Sequence, residues 1–189
     1  AISVPLSEAL GQAIVIENKP GAGGMIALGA AAKATPDGYT LLFSALTNQS
    51  ISQALFKNPP ADLTKDFVPV ALVGSIPHLI VVNPSVPAKN LPELIAFIKS
   101  KKGDFNYASQ GNGSLSHLES VLFMQRIGAT GIHVPYKGSA FALPDLIAGN
   151  TLMMFDSVTA SLPHIQSGKL RPIAIAAPER SPLMPNVPT

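Results

Sequence analysis

Two hydrophobic periods alternate along this chain. Short runs rich in β-branched and aromatic residues are separated by segments whose apolar residues return every three or four positions. The short runs predict strands over Ala13–Asn18, Tyr39–Ala45, Pro69–Ser75, Leu79–Asn83, Phe105–Ser109, Ile132–Tyr136, Leu152–Phe155 and Pro172–Ala177. The other segments predict helices over Met25–Ala34, Leu91–Lys101, Ala142–Ala148 and Thr159–Gln166, with a further one opening at Ser114 or Ser116. Asn90 with Glu93 reads as a capping pair, and Leu91, Leu94, Ile95 and Ile98 then share one helical face. Ser116 with Glu119 reads as a second capping box ahead of Leu118, Val121 and Leu122. Strands apolar on both faces need helices on both sides, so the expected class is α/β with a mainly parallel sheet.

Composition narrows the function classes. Hydrophobic residues make up 47% of the 189 and charged ones 13%, which excludes a disordered chain. The longest mostly apolar stretch, Phe67–Val82, is broken by Pro69, Gly74, Pro77 and His78, well short of the roughly 20 apolar residues of a spanning helix. A net charge of +2, scattered basic residues and 6% aromatics argue against a nucleic-acid partner. Cysteine is absent and His-x-x-x-His spacing is missing, so neither thiol chemistry nor a metal or other cofactor is indicated.

Candidate chemistry concentrates where strands are predicted to end. Ser109-Gln110-Gly111-Asn112-Gly113-Ser114-Leu115-Ser116-His117 joins a strand to a capped helix through a glycine-rich loop. Helix starts carry unpaired N–H groups and partial positive charge, so this loop would suit an anion, with Ser109, Asn112, Ser114 and Ser116 as neutral donors. The same residues would also serve as a plain turn and helix cap. Ser44-Ala45-Leu46-Thr47-Asn48-Gln49-Ser50 ends another strand in the same way, and ligands of open parallel sheets sit beyond strand carboxyl ends. Asp156 would accept from a ligand amine or cap the next helix, and Lys137 would pair with a carboxylate or stay solvated. Pro20-Gly21-Ala22-Gly23-Gly24 lacks the Gly-Lys-Ser/Thr ending of a phosphate loop. For catalysis, Ser116 and His117 are adjacent and face different ways, while His78, His133 and His164 stand isolated. A small α/β hydrolase using His117 is the weak rival reading.

A series of motifs resembles one family, the Bug-type receptors of tripartite tricarboxylate transporters. The matching runs are Val15–Gly24, Pro36–Leu42, Lys65–Ala71, Asn106–Ser109 with Gly111–Ser114, His133–Gly138, Met154–Asp156, Gly168–Arg171 and Pro185–Thr189, in family order. The resemblance implies a non-enzymatic, periplasmic-binding-protein-like receptor. Two α/β lobes joined by hinge strands would hold a dicarboxylate, amino acid or related organic acid and deliver it to membrane permease subunits. Residues 1–75 would form a partial first lobe, 76–170 the second, and 171–189 a return through the hinge. A sensor serving a signalling partner is the alternative within the same fold. The implied ligand-binding residues are Ser44, Thr47, Asn48, Ser109, Gly111, Asn112, Gly113, Ser114, Ser116, His117 and Asp156.

Family members open with a strand and an acid-bearing loop that this chain lacks. Ile2–Leu10 instead reads as the tail of an amphipathic helix, and Ser181–Thr189 as a Pro-rich connection. The chain is therefore expected to be a fragment with an incomplete first lobe, weak in ligand binding and open to dimerisation through the missing surface.

Overall fold

The protein is described here by a computed structural model covering residues 2–189. Its sheet has five strands: β1 (His78–Val82), β2 (Asn106–Ser109), β3 (Ile132–Pro135), β4 (Met153–Ser157) and β5 (Arg171–Ala176), in the order β3-β2-β4-β1-β5. β2 runs parallel to β3 and β4, whereas β1 lies antiparallel between β4 and β5. Four strands thus share one direction and the first runs against them. The expected mainly parallel sheet is mixed at its centre.

The strands were recognisable because both faces are apolar, and the packing uses both. Ile80, Val82, Tyr107, Met153 and Phe155 enter one core with Leu94 and Ile98 of α4 (Leu91–Ser100) and Met124 of α5 (Leu115–Ile127). Leu79, Val81, Ala108 and Met154 enter the other. There they meet Ala142, Leu143 and Leu146 of α6 (Ser139–Ala148) and Val158 of α7 (Val158–Gln166). Alternation along each strand therefore divides its side chains between two helical layers, a helix–sheet–helix sandwich.

The predicted capping pair of α4 forms. Glu93 N donates to Asn90 Oδ1 at 2.9 Å, and Lys89 N donates to Glu93 Oε2 at 2.7 Å. Replacing Asn90 with Ala should lower stability by about 1 kcal/mol, as loss of an N-cap acceptor usually does. Chemical denaturation would show it as an earlier midpoint at unchanged slope.

The first third of the chain differs from expectation. It contains α1 (Ser3–Leu10), a 3-10 turn at Ala22–Gly24, α2 (Met25–Ala32) and α3 (Leu46–Leu55), around a small core of Met25, Leu28 and Ala61. The strands predicted at Ala13–Asn18, Tyr39–Ala45 and Pro69–Ser75 are not formed, and the polar segment predicted as a loop at Ser44–Ser50 is mostly helix. The reason lies in partners. A strand is stable only against a neighbour that takes its backbone N–H and C=O groups, and among the described residues these three segments have none. Their apolar side chains stand in solvent: Tyr39 is 89% exposed, Phe43 73%, Val68 87% and Leu72 87%.

Candidate ligand-binding site

Two helix starts far apart in sequence, those of α3 and α5, meet in one place. α5 opens after the glycine-rich loop that leaves β2, and its N-cap is Ser114, whose Oγ accepts from His117 N at 3.2 Å. Ser116 is not the cap. Its hydroxyl donates to the Phe155 carbonyl, and Glu119 turns to His78 Nδ1 at 2.7 Å, so the predicted second capping box does not form. Leu115 N, the first orphan donor of the helix, points at α3 and donates to Asn48 Oδ1 at 2.7 Å. One turn along α3, Ser52 Oγ donates to the Gly113 carbonyl at 3.2 Å.

Glycine is required at these crossings. A Cβ on Gly23 would fall 2.2 Å from Ser52 Oγ, and one on Gly111 would fall 2.9 Å from the Tyr136 carbonyl. Gly111 also holds φ near +128°, a conformation side-chain-bearing residues rarely adopt. Gln49, on the buried face of α3, accepts from Ser44 Oγ and donates to the Gly24 carbonyl at 3.3 Å. The turn at Gly21–Gly24, the approach to α3 at Ser44 and the loop Gly111–Ser114 are thus joined by side chains of α3.

The loop is also tied from below. Asp156, at the end of β4, is fully buried; its Oδ1 accepts from Gln110 Nε2 at 2.9 Å and Ser139 Oγ at 2.6 Å, and its Oδ2 from Ser161 Oγ at 2.7 Å. These donors come from the loop after β2, the start of α6 and α7. Asp156 therefore holds three elements around the strand ends and offers no surface to a ligand; the cap on α7 is Ser157 instead. Ser109, Ser114 and Ser116 are equally buried, with their hydroxyls engaged inside the protein. Thr47 and Asn112 are exposed, and Asn48, Gly111 and His117 are half-buried.

One group escaped the sequence reading. His133, taken as isolated, faces Ser109: its Nε2 lies 2.6 Å from Ser109 Oγ. Its ring stacks on His117, with centroids 4.0 Å apart and planes 3° from parallel, and on Tyr107 at 5.2 Å. The parallel pairing of β2 and β3, which sets Tyr107 opposite His133, makes this cluster, and no spacing within either segment could announce it.

Burial lowers the pKa of His117, and burial together with the neighbouring His117 charge lowers that of His133 to about 4. A histidine held neutral in the fold takes up its proton in the unfolded chain first. Between its ordinary value of 6.5 and about 4 the unfolded state therefore binds more protons, and stability declines as pH falls through that window. Thermal midpoints should fall steadily from pH 6.5 to 4, with a smaller decline in His133→Asn.

The sequence profile of the tripartite tricarboxylate transporter family receptors matches residues 1–189, the whole chain. The chain belongs to that family. It is 40% identical to the protein BugT of Bordetella pertussis over 185 residues, covering 97% of this chain and 57% of BugT. A protein of R. palustris solved with adipate superposes at a TM-score of 0.93 with 33% identity, covering all of this chain and 63% of that one. MatC of Rhodopseudomonas palustris, solved with bound malate, superposes at 0.90 with 36% identity, covering 100% and 64%. The periplasmic-binding-protein-like α/β fold expected from the motifs is therefore that of the receptor family. The chain spans a little over half the length of the curated relatives it matches over most of its own length.

Proposed function

We propose that this chain forms part of a periplasmic receptor that captures a small dicarboxylate and passes it to the membrane subunits of a tripartite transporter, without chemical change. The observation that carries this reading is the meeting of α3 and α5 at Asn48 and Leu115, within a fold whose solved relatives hold adipate and malate. A carboxylate is a stronger acceptor than an amide oxygen, because charge-assisted hydrogen bonds are shorter and stronger. A ligand carboxylate would take Leu115 N in place of Asn48 Oδ1, with the Asn48 amide and the Thr47 hydroxyl turning to donate. Asn112 and His117 flank the same spot; Ser44, Ser109, Ser114, Ser116 and Asp156 shape it without touching the ligand.

The unpaired apolar segments at Val15–Ile16, Tyr39–Phe43 and Val68–Val73 fit the expectation that this stretch of the receptor pairs with further chain or with a second copy. On this reading the 189-residue chain alone binds adipate or malate weakly and dimerises. Calorimetric titration with both acids, with sedimentation of the same sample, tests it. Tight one-to-one binding by a monomer, or no binding by the full-length receptor, would overturn it.

A further inference from the structure

The stacking of His117 on His133 has no part in that reading, yet both rings are fastened to the loop that supplies it. Gly113 N donates to His117 Nδ1 at 3.3 Å, so Nδ1 carries no proton and the ring is its Nε2–H tautomer. Gly111 N donates to Ser109 Oγ at 3.1 Å, and that hydroxyl lies between His133 Nε2, 2.6 Å away, and the Gly111 carbonyl, 3.3 Å away. His117 holds Gly113 directly as an acceptor, and His133 holds Gly111 through Ser109.

We infer that His117 and His133 form a proton-sensitive clasp on the Gly111–Ser114 loop, fastened when both rings are neutral and released when His117 takes up a proton.

The two rings do not respond alike. A proton on His133 Nε2 is accommodated: the nitrogen then donates to Ser109 Oγ, whose hydroxyl rotates to the Gly111 carbonyl 3.3 Å away. A proton on His117 Nδ1 is not, because it would confront the Gly113 N–H, donor against donor. Protonating both would also set two like charges face to face at 4.0 Å. Among the described residues, no acidic side chain is hydrogen-bonded to either ring. The titratable groups facing the pair are Tyr107 from β2 and the rings themselves, from α5 and β3. Glu119, further along α5, is engaged by His78 of β1. Burial lowers the pKa of His117, and burial with the His117 charge lowers that of His133, so both rings favour the neutral form at pH 7.

The test reads the loop directly by NMR, without any ligand. As pH falls from 8 to 4, the imidazole nitrogens of His117 and His133 should titrate as a coupled pair below the ordinary histidine range. The Gly113 amide should shift with the same midpoint as His117, and its exchange, corrected for pH, should accelerate at least about tenfold. In His117→Gln, whose amide oxygen keeps an acceptor but cannot take the proton, the Gly113 response should vanish. A His164→Gln control should retain it. A Gly113 amide indifferent to the His117 titration, or one whose response survives in His117→Gln, would overturn the clasp. Failure of the dicarboxylate reading would show separately, as absent adipate binding at pH 7 in the full-length receptor, and would leave this titration as it stands.

Discussion

Replacing Asp156 with Ala should remove about 3–5 kcal/mol of stability, the largest effect expected of any single substitution near the site. The carboxylate is fully buried and accepts from Gln110, Ser139 and Ser161 at 2.6–2.9 Å. Truncation leaves the buried Ser161 hydroxyl and the half-buried Ser139 hydroxyl without this acceptor and Gln110 with Ser139 alone, each lost bond costing about 1–3 kcal/mol before relaxation, and opens a cavity beneath the strand ends. Water entering that cavity would recover part of the loss. Asp156→Asn keeps the shape but swaps one acceptor oxygen for a donor, so it should fall between wild type and Ala. Urea denaturation followed by circular dichroism measures both variants. A loss under 1 kcal/mol in Asp156→Ala would mean the three elements are held by packing alone.

The second large effect concerns binding. Gly111→Ala should weaken dicarboxylate binding by the full-length receptor at least tenfold and cost about 1–3 kcal/mol of stability, the usual range for a strained backbone position. The new methyl group meets the Tyr136 carbonyl at 2.9 Å, and that carbonyl belongs to the backbone leaving β3, which cannot swing aside like a side chain. The loop must therefore shift, and with it the Gly113 and Leu115 N–H groups. Gly149→Ala also sits at positive φ, but at the far end of α6, so it should cost stability and leave affinity unchanged. Equal affinity losses in both variants would point to general destabilisation.

What could be read from the sequence was whatever is local. Ile80, Val82, Met153 and Phe155 announce buried strands by type and spacing, and Asn90 announces its helix because the cap and its partner are three residues apart. The direction of β1 was not legible, since antiparallel pairing with β4 and β5 depends on segments more than 70 residues away. Tyr39, Leu41 and Phe43 show why pattern alone is insufficient. Their alternation is that of a strand, but a strand needs a partner, and pattern does not supply one. At the site, Ser109, Asn112, Ser114 and Ser116 read from the sequence either as donors to a ligand or as plain turn and cap residues, and pattern alone does not say which. Ser109, Ser114, Ser116 and Asp156 turned inward because a buried hydroxyl or carboxylate must find protein partners, and these were nearer than any ligand. His133 was missed for the same reason as β1: its neighbours come from other strands and helices.

The central antiparallel strand has one more consequence. His78, where β1 begins, is the register partner of Ala176, where β5 ends. The chain therefore goes into the five-stranded unit and comes out of it at neighbouring points, as an inserted block does. β1 and β5 side by side carry the chain into and out of the sheet, and α3 touches the block separately at Gly113 and Leu115. Excised at His78 and Ala176 and closed by a short loop, the block should keep its five strands but lose the contacts of α3 with Gly113 and Leu115, the packing of Met184 and Val187, and the hydrogen bond from Ile175 N to the Pro188 carbonyl.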